Sequence, residues 1–292
     1  LKPCPVCGKC FCSITKKEQE TLVRVHQRYC CSYHNLLYFK RIDLDGDRSI
    51  IKNSNLALEY CHQKFKAGNA YPFMQNLATG DMTSPYFGHD ASEWFRYAVF
   101  GLNNIPKDVR VILDIGSGYP DGPMIYAKNR PGLERVYIMD INPTYLRNLE
   151  PPLCLIENDL LNIKDEFEDN SLDFISAFEV LEHLTKDEAL IALDRIKDVL
   201  KSDGILVLST PNKGDNPQGI HSREWEFREM FGELEKRFRV KETYGNRIDL
   251  DKFAGSSGKV LWRGLIPDEL LANLISLYHP EDSYIGVYVC QK

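Results

Sequence analysis

From Val109 onward, short β-branched runs alternate with helical stretches, and no other feature of the chain constrains its fold as much. The expected strands are VRVILDI (109–115), RVYIMDI (135–141), LCLIEND (153–159), LDFISAF (172–178), GILVLST (204–210), FRVKETY (238–244) and SYIGVYVCQ (283–291). Helices are expected at about 123–129, 143–149, 186–200, 222–236 and 267–277. Alternation of this kind implies an α/β fold with a mostly parallel sheet and helices on both faces. No long crossover helix joins the last two strands, so the final strand is read as antiparallel.

The 292 residues are enough for one large domain with an appendage. Hydrophobic residues make up 43% and charged residues 27%, as in ordinary globular chains. The net charge of -6 argues against a surface built to neutralise many phosphates, so nucleic acid is disfavoured as a partner. No apolar run approaches the roughly 20 residues that span a bilayer, so no membrane partner is expected. No export signal is visible, and the expected compartment is the cytoplasm. Nothing in the pattern reads out an oligomeric state.

Six of the nine cysteines fall in the first 31 residues. Residues 1–40 are therefore set apart as a Cys-rich segment. Cys4-x-x-Cys7 and Cys31-x-x-His34 are two short-spaced pairs that resemble a zinc ribbon, in which each tight turn delivers two tetrahedral ligands. Free thiols, or a disulfide in an exported protein, are the rival reading, and Cys10, Cys12 and Cys30 are alternative ligands. IDLDGDRS (42–49) lacks the Gly and Glu of a calcium loop, because those places hold Arg48 and Ser54. Residues 41–90 read as a linker and helical cap. They hold a helix at Asn55–Lys66 and a Gly/Pro/Asn-rich passage in which Tyr86 and His89 are candidate lid residues. A further helix is expected at about Ala91 to Leu102, and residues 91–292 form the main domain.

The first strand ends in Asp114-Ile-Gly116-Ser-Gly118, where glycines let the backbone turn sharply and approach a ligand. A nicotinamide fingerprint needs a third glycine where this chain has Asp121. Asp140, at the end of the second strand, is placed to accept hydrogen bonds from ribose hydroxyls. Asp159, at the end of the third, is placed to accept from the exocyclic amine of an adenine. Each acid has a bland alternative as a helix N-cap.

Taken together, DIGSG, IMDIN, NDLL, AFEVLEHL and LVLSTPN resemble the class I S-adenosylmethionine-dependent methyltransferases over about residues 90–292. The resemblance implies a Rossmann-like, seven-stranded sheet with an antiparallel last strand. It also implies S-adenosyl-L-methionine as cofactor. Asp114, Gly116 and Gly118 would flank its amino-acid end, Asp140 with Ile141 its ribose, and Asp159 with Leu160 its adenine. Phe178 and Glu179 would sit beside the sulfonium. The chain departs from the family at Tyr119-Pro120-Asp121-Gly122-Pro123, which looks like a small insertion.

AFEVLEHL (177–184) puts two carboxylates and an imidazole at the carboxyl end of the fourth strand. Three readings compete. In the first it is a wall that fixes the strand-to-helix turn. In the second His183, or else His221, removes a proton from an oxygen acceptor, with Glu182 beside it. In the third, Glu179, Glu182, His183 and His221 bind a divalent ion, a pattern that resembles the small-RNA 3′-terminal 2′-O-methyltransferases. Trp225 reads as core, with acceptor stacking as the alternative. The expected function is O-methylation of a small molecule or sugar-containing metabolite. The alternatives are a metal-dependent RNA 3′-terminal ribose methyltransferase and a non-catalytic cofactor-binding module that docks through the Cys-rich segment.

Overall fold

The structure is a computed structural model that describes residues 92–146, 149–212, 221–249, 276–277 and 279–292. The candidate zinc ligands Cys4, Cys7, Cys31 and His34, the 41–90 cap, and the lid candidates Tyr86 and His89 lie outside these residues.

Seven strands form one sheet: β1 (Val111–Ile115), β2 (Arg135–Asp140), β3 (Leu153–Glu157), β4 (Leu172–Phe178), β5 (Leu200–Pro211), β6 (Arg239–Ile248) and β7 (Ser283–Gln291). Their spatial order is β3-β2-β1-β4-β5-β7-β6. The pairs from β3 through β5 are parallel, and β7 runs antiparallel to both β5 and β6. The seven expected strands and the antiparallel last strand are all present.

A sheet covered on both faces needs apolar residues at consecutive positions. β1 meets this need. Ile112 joins the core on one face, with Val136, Ile138, Phe174, Val207 and Val289. Leu113 joins the core on the other, with Met139, Ile175, Leu206, Leu208 and Tyr288.

The helical stretch over 92–104, here α1, covers the first face. Its middle, Arg96–Gly101, is wound as a π-helix with all six residues buried. α2 (Asp121–Asn129) packs against it. The second face is covered by α3 (Ile163–Glu166), α4 (Lys186–Val199) and α5 (Phe227–Glu235), which bring Ile163, Ala189, Ala192, Leu193, Ile196, Met230 and Leu234 into that core. α4 starts with a capping box, in which Thr185 and Glu188 satisfy each other's backbone N–H groups.

Two helix expectations change, and one short helix was not expected. Among the described residues of the 143–149 expectation, the only helical piece is a 3₁₀ turn at Pro143–Tyr145, begun by Asn142, whose side chain caps Thr144. α5 starts at Phe227 rather than 222, because 221–225 is not helical and Trp225 makes an isolated bridge to Asn212. The turn and short helix over 160–166 follow from the Asp159 cap and were not anticipated. The 267–277 expectation falls outside the described residues except for 276–277.

Gly101 ends the π-helical segment where Tyr126 of α2 packs. A Cβ there would overlap the Tyr126 ring and hydroxyl. Gly101→Ala is expected to destabilise the protein by about 1–3 kcal/mol through overpacking, read as a lowered urea midpoint with an unchanged m-value.

Candidate functional site

The parallel strands β1 to β5 end on one edge of the sheet, and the candidate site residues are examined at that edge. Gly116 (φ 68°) and Gly118 (φ 63°) hold left-handed backbone after β1. A Cβ on Gly116 would press on Val180 at 2.7 Å, whereas one on Gly118 would meet nothing within 4 Å. Gly116 thus lets the loop lie on the β4 exit, and Gly118 presents bare backbone to open space.

Asp140 accepts from the N–H of Gly118 (2.9 Å) through one oxygen and from that of Asn142 (2.8 Å) through the other. It ties the glycine loop to the end of β2. Ile141 beside it is 71% exposed, an unusual state for isoleucine and one suited to covering an apolar ring. Asp159 accepts from Leu161 N–H (2.8 Å), so it caps a turn, and Leu160 is buried.

Asp114 stands elsewhere. It is 0% exposed, behind the loop. The Tyr97 hydroxyl of α1 donates to one of its oxygens (3.0 Å) and the Ser176 hydroxyl of β4 to the other. Burial pushes its carboxyl up from 3.8 to about 7, against the two hydroxyl hydrogen bonds that favour the charged form. No local pattern marks Tyr97 or Ser176, because the contact joins three elements distant along the chain. Tyr97 also packs edge-on against Phe178, with ring centroids 4.9 Å apart.

At the β4 exit Glu179 takes φ 58°, rare for a residue with a side chain. Its Oε1 accepts from the Ser209 hydroxyl (2.7 Å), and its N–H donates to the Ser209 carbonyl (3.1 Å). Glu182 follows in the turn Leu181–His183 and is 1% exposed. Neither of its oxygens meets a hydrogen-bond partner at normal geometry. Burial and then the charge of Glu179 push its carboxyl well above the ordinary range.

His221 comes to this turn by a backbone tie. Ser222 and Arg223 donate their N–H groups to the Glu182 carbonyl (2.8 and 3.0 Å), and the Ser222 hydroxyl donates to the His183 carbonyl (2.9 Å). The His183 and His221 rings stand 5.2 Å apart, nearly perpendicular. One ligand atom from each of Glu182, His183 and His221 lies within 4.8 Å of the others. Glu179, expected in the same group, stands outside it. His221 Nδ1 is 2.9 Å from Oε1 of Glu224. Trp225 is fully buried and belongs to the core, with the Arg223 guanidinium 4.7 Å over its ring.

Residues 113–208 match the family model described as a methyltransferase domain. No curated protein matches the sequence. A Haloferax volcanii protein described as a methyltransferase, solved in complex with the Trm112 methyltransferase activator, superposes with a TM-score of 0.51. Its identity is 17%, over 70% of this chain and 91% of its own. An Archaeoglobus fulgidus S-adenosylmethionine-dependent methyltransferase gives 0.50 at 16% identity, over 72% of this chain and 100% of its own. At these identities the superpositions establish the fold. Among the described residues no helix is long and apolar enough to cross a membrane.

The raised Asp114 carboxyl makes stability depend on pH. The folded state holds its proton more tightly than the unfolded one, so stability falls as pH rises from about 4 to about 7 and is level above that. Asp114→Asn is expected to flatten this slope, seen by comparing urea midpoints of the two proteins at pH 5 and pH 8.

Proposed function

We propose that this chain, which carries a class I S-adenosylmethionine-dependent methyltransferase domain, methylates an oxygen of a small-molecule or sugar-containing acceptor, with His221 as general base and His183 beside it. The observation that carries this reading is the Glu224–His221 contact at the carboxyl edge of the sheet. An ionised carboxylate can only accept, so Glu224 fixes the imidazole proton on Nδ1 and leaves the lone pair on Nε2. A neutral hydroxyl acceptor needs such a base, worth about 10²–10⁴ in rate. Of the two histidines weighed from the sequence, His221 is favoured because it has this orienting partner.

The cofactor supplies a methyl group already activated on a sulfonium. The residues present suit it: Gly118 offers open backbone, Asp140 offers carboxylate oxygens beside it, and Ile141 offers an exposed apolar face. In this reading Gly116 and Gly118 admit the amino-acid end, with Asp114 bracing the loop from behind. Asp140 takes the ribose hydroxyls, and Asp159 and Leu160 the adenine. Phe178 and Glu179 line the reacting end, where Ser209 fixes the Glu179 carboxylate.

A second reading is favoured by one observation, the convergence of Glu182, His183 and His221 within 4.8 Å. One carboxylate and two imidazoles suit a divalent transition ion, and Glu224 would orient His221 from the outer shell. Such an ion would bring RNA 3′-terminal ribose back as the acceptor to test.

His221→Gln is expected to lower kcat by about 10²–10⁴ with little change in cofactor affinity. Asp140→Ala is expected to weaken S-adenosylmethionine binding about tenfold or more by calorimetry, with the fold intact. The metal reading is checked by dialysing the full chain against Mn²⁺. Retention of one ion by the wild type and its loss in His183→Ala would favour it. No retention, with transfer unaffected by chelator, would remove it.

A further inference from the structure

Tyr97 lies in the π-helical part of α1 and is buried. Its side chain touches both ends of the glycine loop. The hydroxyl donates to Asp114 (3.0 Å), just before the loop. The ring fills the space beside Gly122, just after it, where a Cβ would lie 2.2 Å from the ring. Gly122 belongs to α2, and glycine is a poor helix former. The Tyr97 ring leaves no room there for a side chain. The 119–123 departure from the family pattern, which the cofactor reading leaves unused, thus holds the seat of this ring.

The same ring meets Phe178 edge-on, with centroids 4.9 Å apart, and leans on Tyr126 of α2 at 5.4 Å. Packed interiors transmit such contacts, so the loop cannot move relative to Phe178 without moving Tyr97. π-helical winding is rare and concentrates at functional sites.

We propose that Tyr97 is a positioning residue for cofactor binding, which staples both ends of the glycine loop and sets that loop against Phe178 at the reacting end. The inference rests on the cofactor reading above and adds a residue that acts through Asp114, Gly122 and Phe178. The hydroxyl has a second effect, because it favours the charged form of Asp114. The cofactor brings cations to the loop above, and the ionised carboxylate attracts them where the protonated one does not. Cofactor affinity therefore rises with pH as Asp114 loses its proton, through about 7. Burial sets that value, opposed by the Ser176 and Tyr97 hydroxyls and aided by the charges of Asp140 on β2 and Glu93 on α1. The Tyr97 and Tyr126 hydroxyls also face Asp114, and burial raises both well above 10, so they keep their protons across this range.

The test titrates the full chain with S-adenosylmethionine by calorimetry from pH 6 to pH 9. The cofactor's own titration is common to every protein compared. Tyr97→Phe keeps the ring and loses the hydroxyl. The loss of one hydrogen bond to a charged group moves the rise in affinity up by about one pH unit. Binding should be about fivefold weaker than wild type at pH 7 and within about twofold of it at pH 9. Gly122→Ala keeps the hydroxyl but displaces the ring, and should weaken binding about tenfold at every pH. A merely structural Tyr97 would lower the urea midpoint of Tyr97→Phe and leave the pH profile of binding where it was, which overturns the proposal. Wild-type affinity in Gly122→Ala overturns it too, as does a wild-type affinity that is flat across this range. Should one variant not fold, the other decides. Failure of the wild type to bind S-adenosylmethionine at any pH would instead sink the cofactor reading.

Discussion

The site depends on one buried carboxylate. Asp114 ends β1 with no exposure to solvent and takes a hydroxyl from Tyr97 on α1 and another from Ser176 on β4. These bonds fasten three elements directly beneath the glycine loop. Desolvation works against the charge and the two hydroxyls work for it, which leaves the carboxyl titrating near neutrality. Above this anchor the loop can be rigid where it turns and bare where it faces outward.

Two further ties complete the edge. The Asp140 carboxylate joins the glycine loop to the β2 exit through Gly118. The Glu182 carbonyl, accepting from Ser222 and Arg223, joins the β4 exit to the segment before α5. The first sets the spacing between the loops assigned to the cofactor. The second brings His221 beside His183, 38 positions earlier in the chain. In both cases a residue at a strand exit also ties two distant segments together, the first through its carboxylate and the second through its backbone carbonyl.

Much of this was legible in advance. Apolar runs in β1, β2, β4, β5 and β7 are continuous because both faces of the sheet are covered, and that pattern gave the strands and their order along the chain. Asp140, Gly116 and Gly118 were legible because turn geometry and strand ends are local properties. The 143–149 helix failed for a local reason as well: Asn142 caps a single turn, which Pro143 opens and Leu146 closes. Asp159 shows how a cap and a ligand contact resemble each other, since the same oxygen type at the same strand end serves either role.

What the sequence determined by itself was the α/β class, the strand set and the glycine turn after β1, because backbone periodicity and glycine torsions are written within a few residues of where they act. Tertiary structure alone decided which acids face outward and which are buried. It moved Asp114 from the loop's surface to its foundation, gave His221 an orienting carboxylate in Glu224, and joined Arg96 of α1 to Asn246 of β6. Those outcomes depend on desolvation and on contacts between residues far apart in the chain. Neither quantity has a local signature, so each becomes visible only when the sheet brings α1, β4, β5 and β6 together.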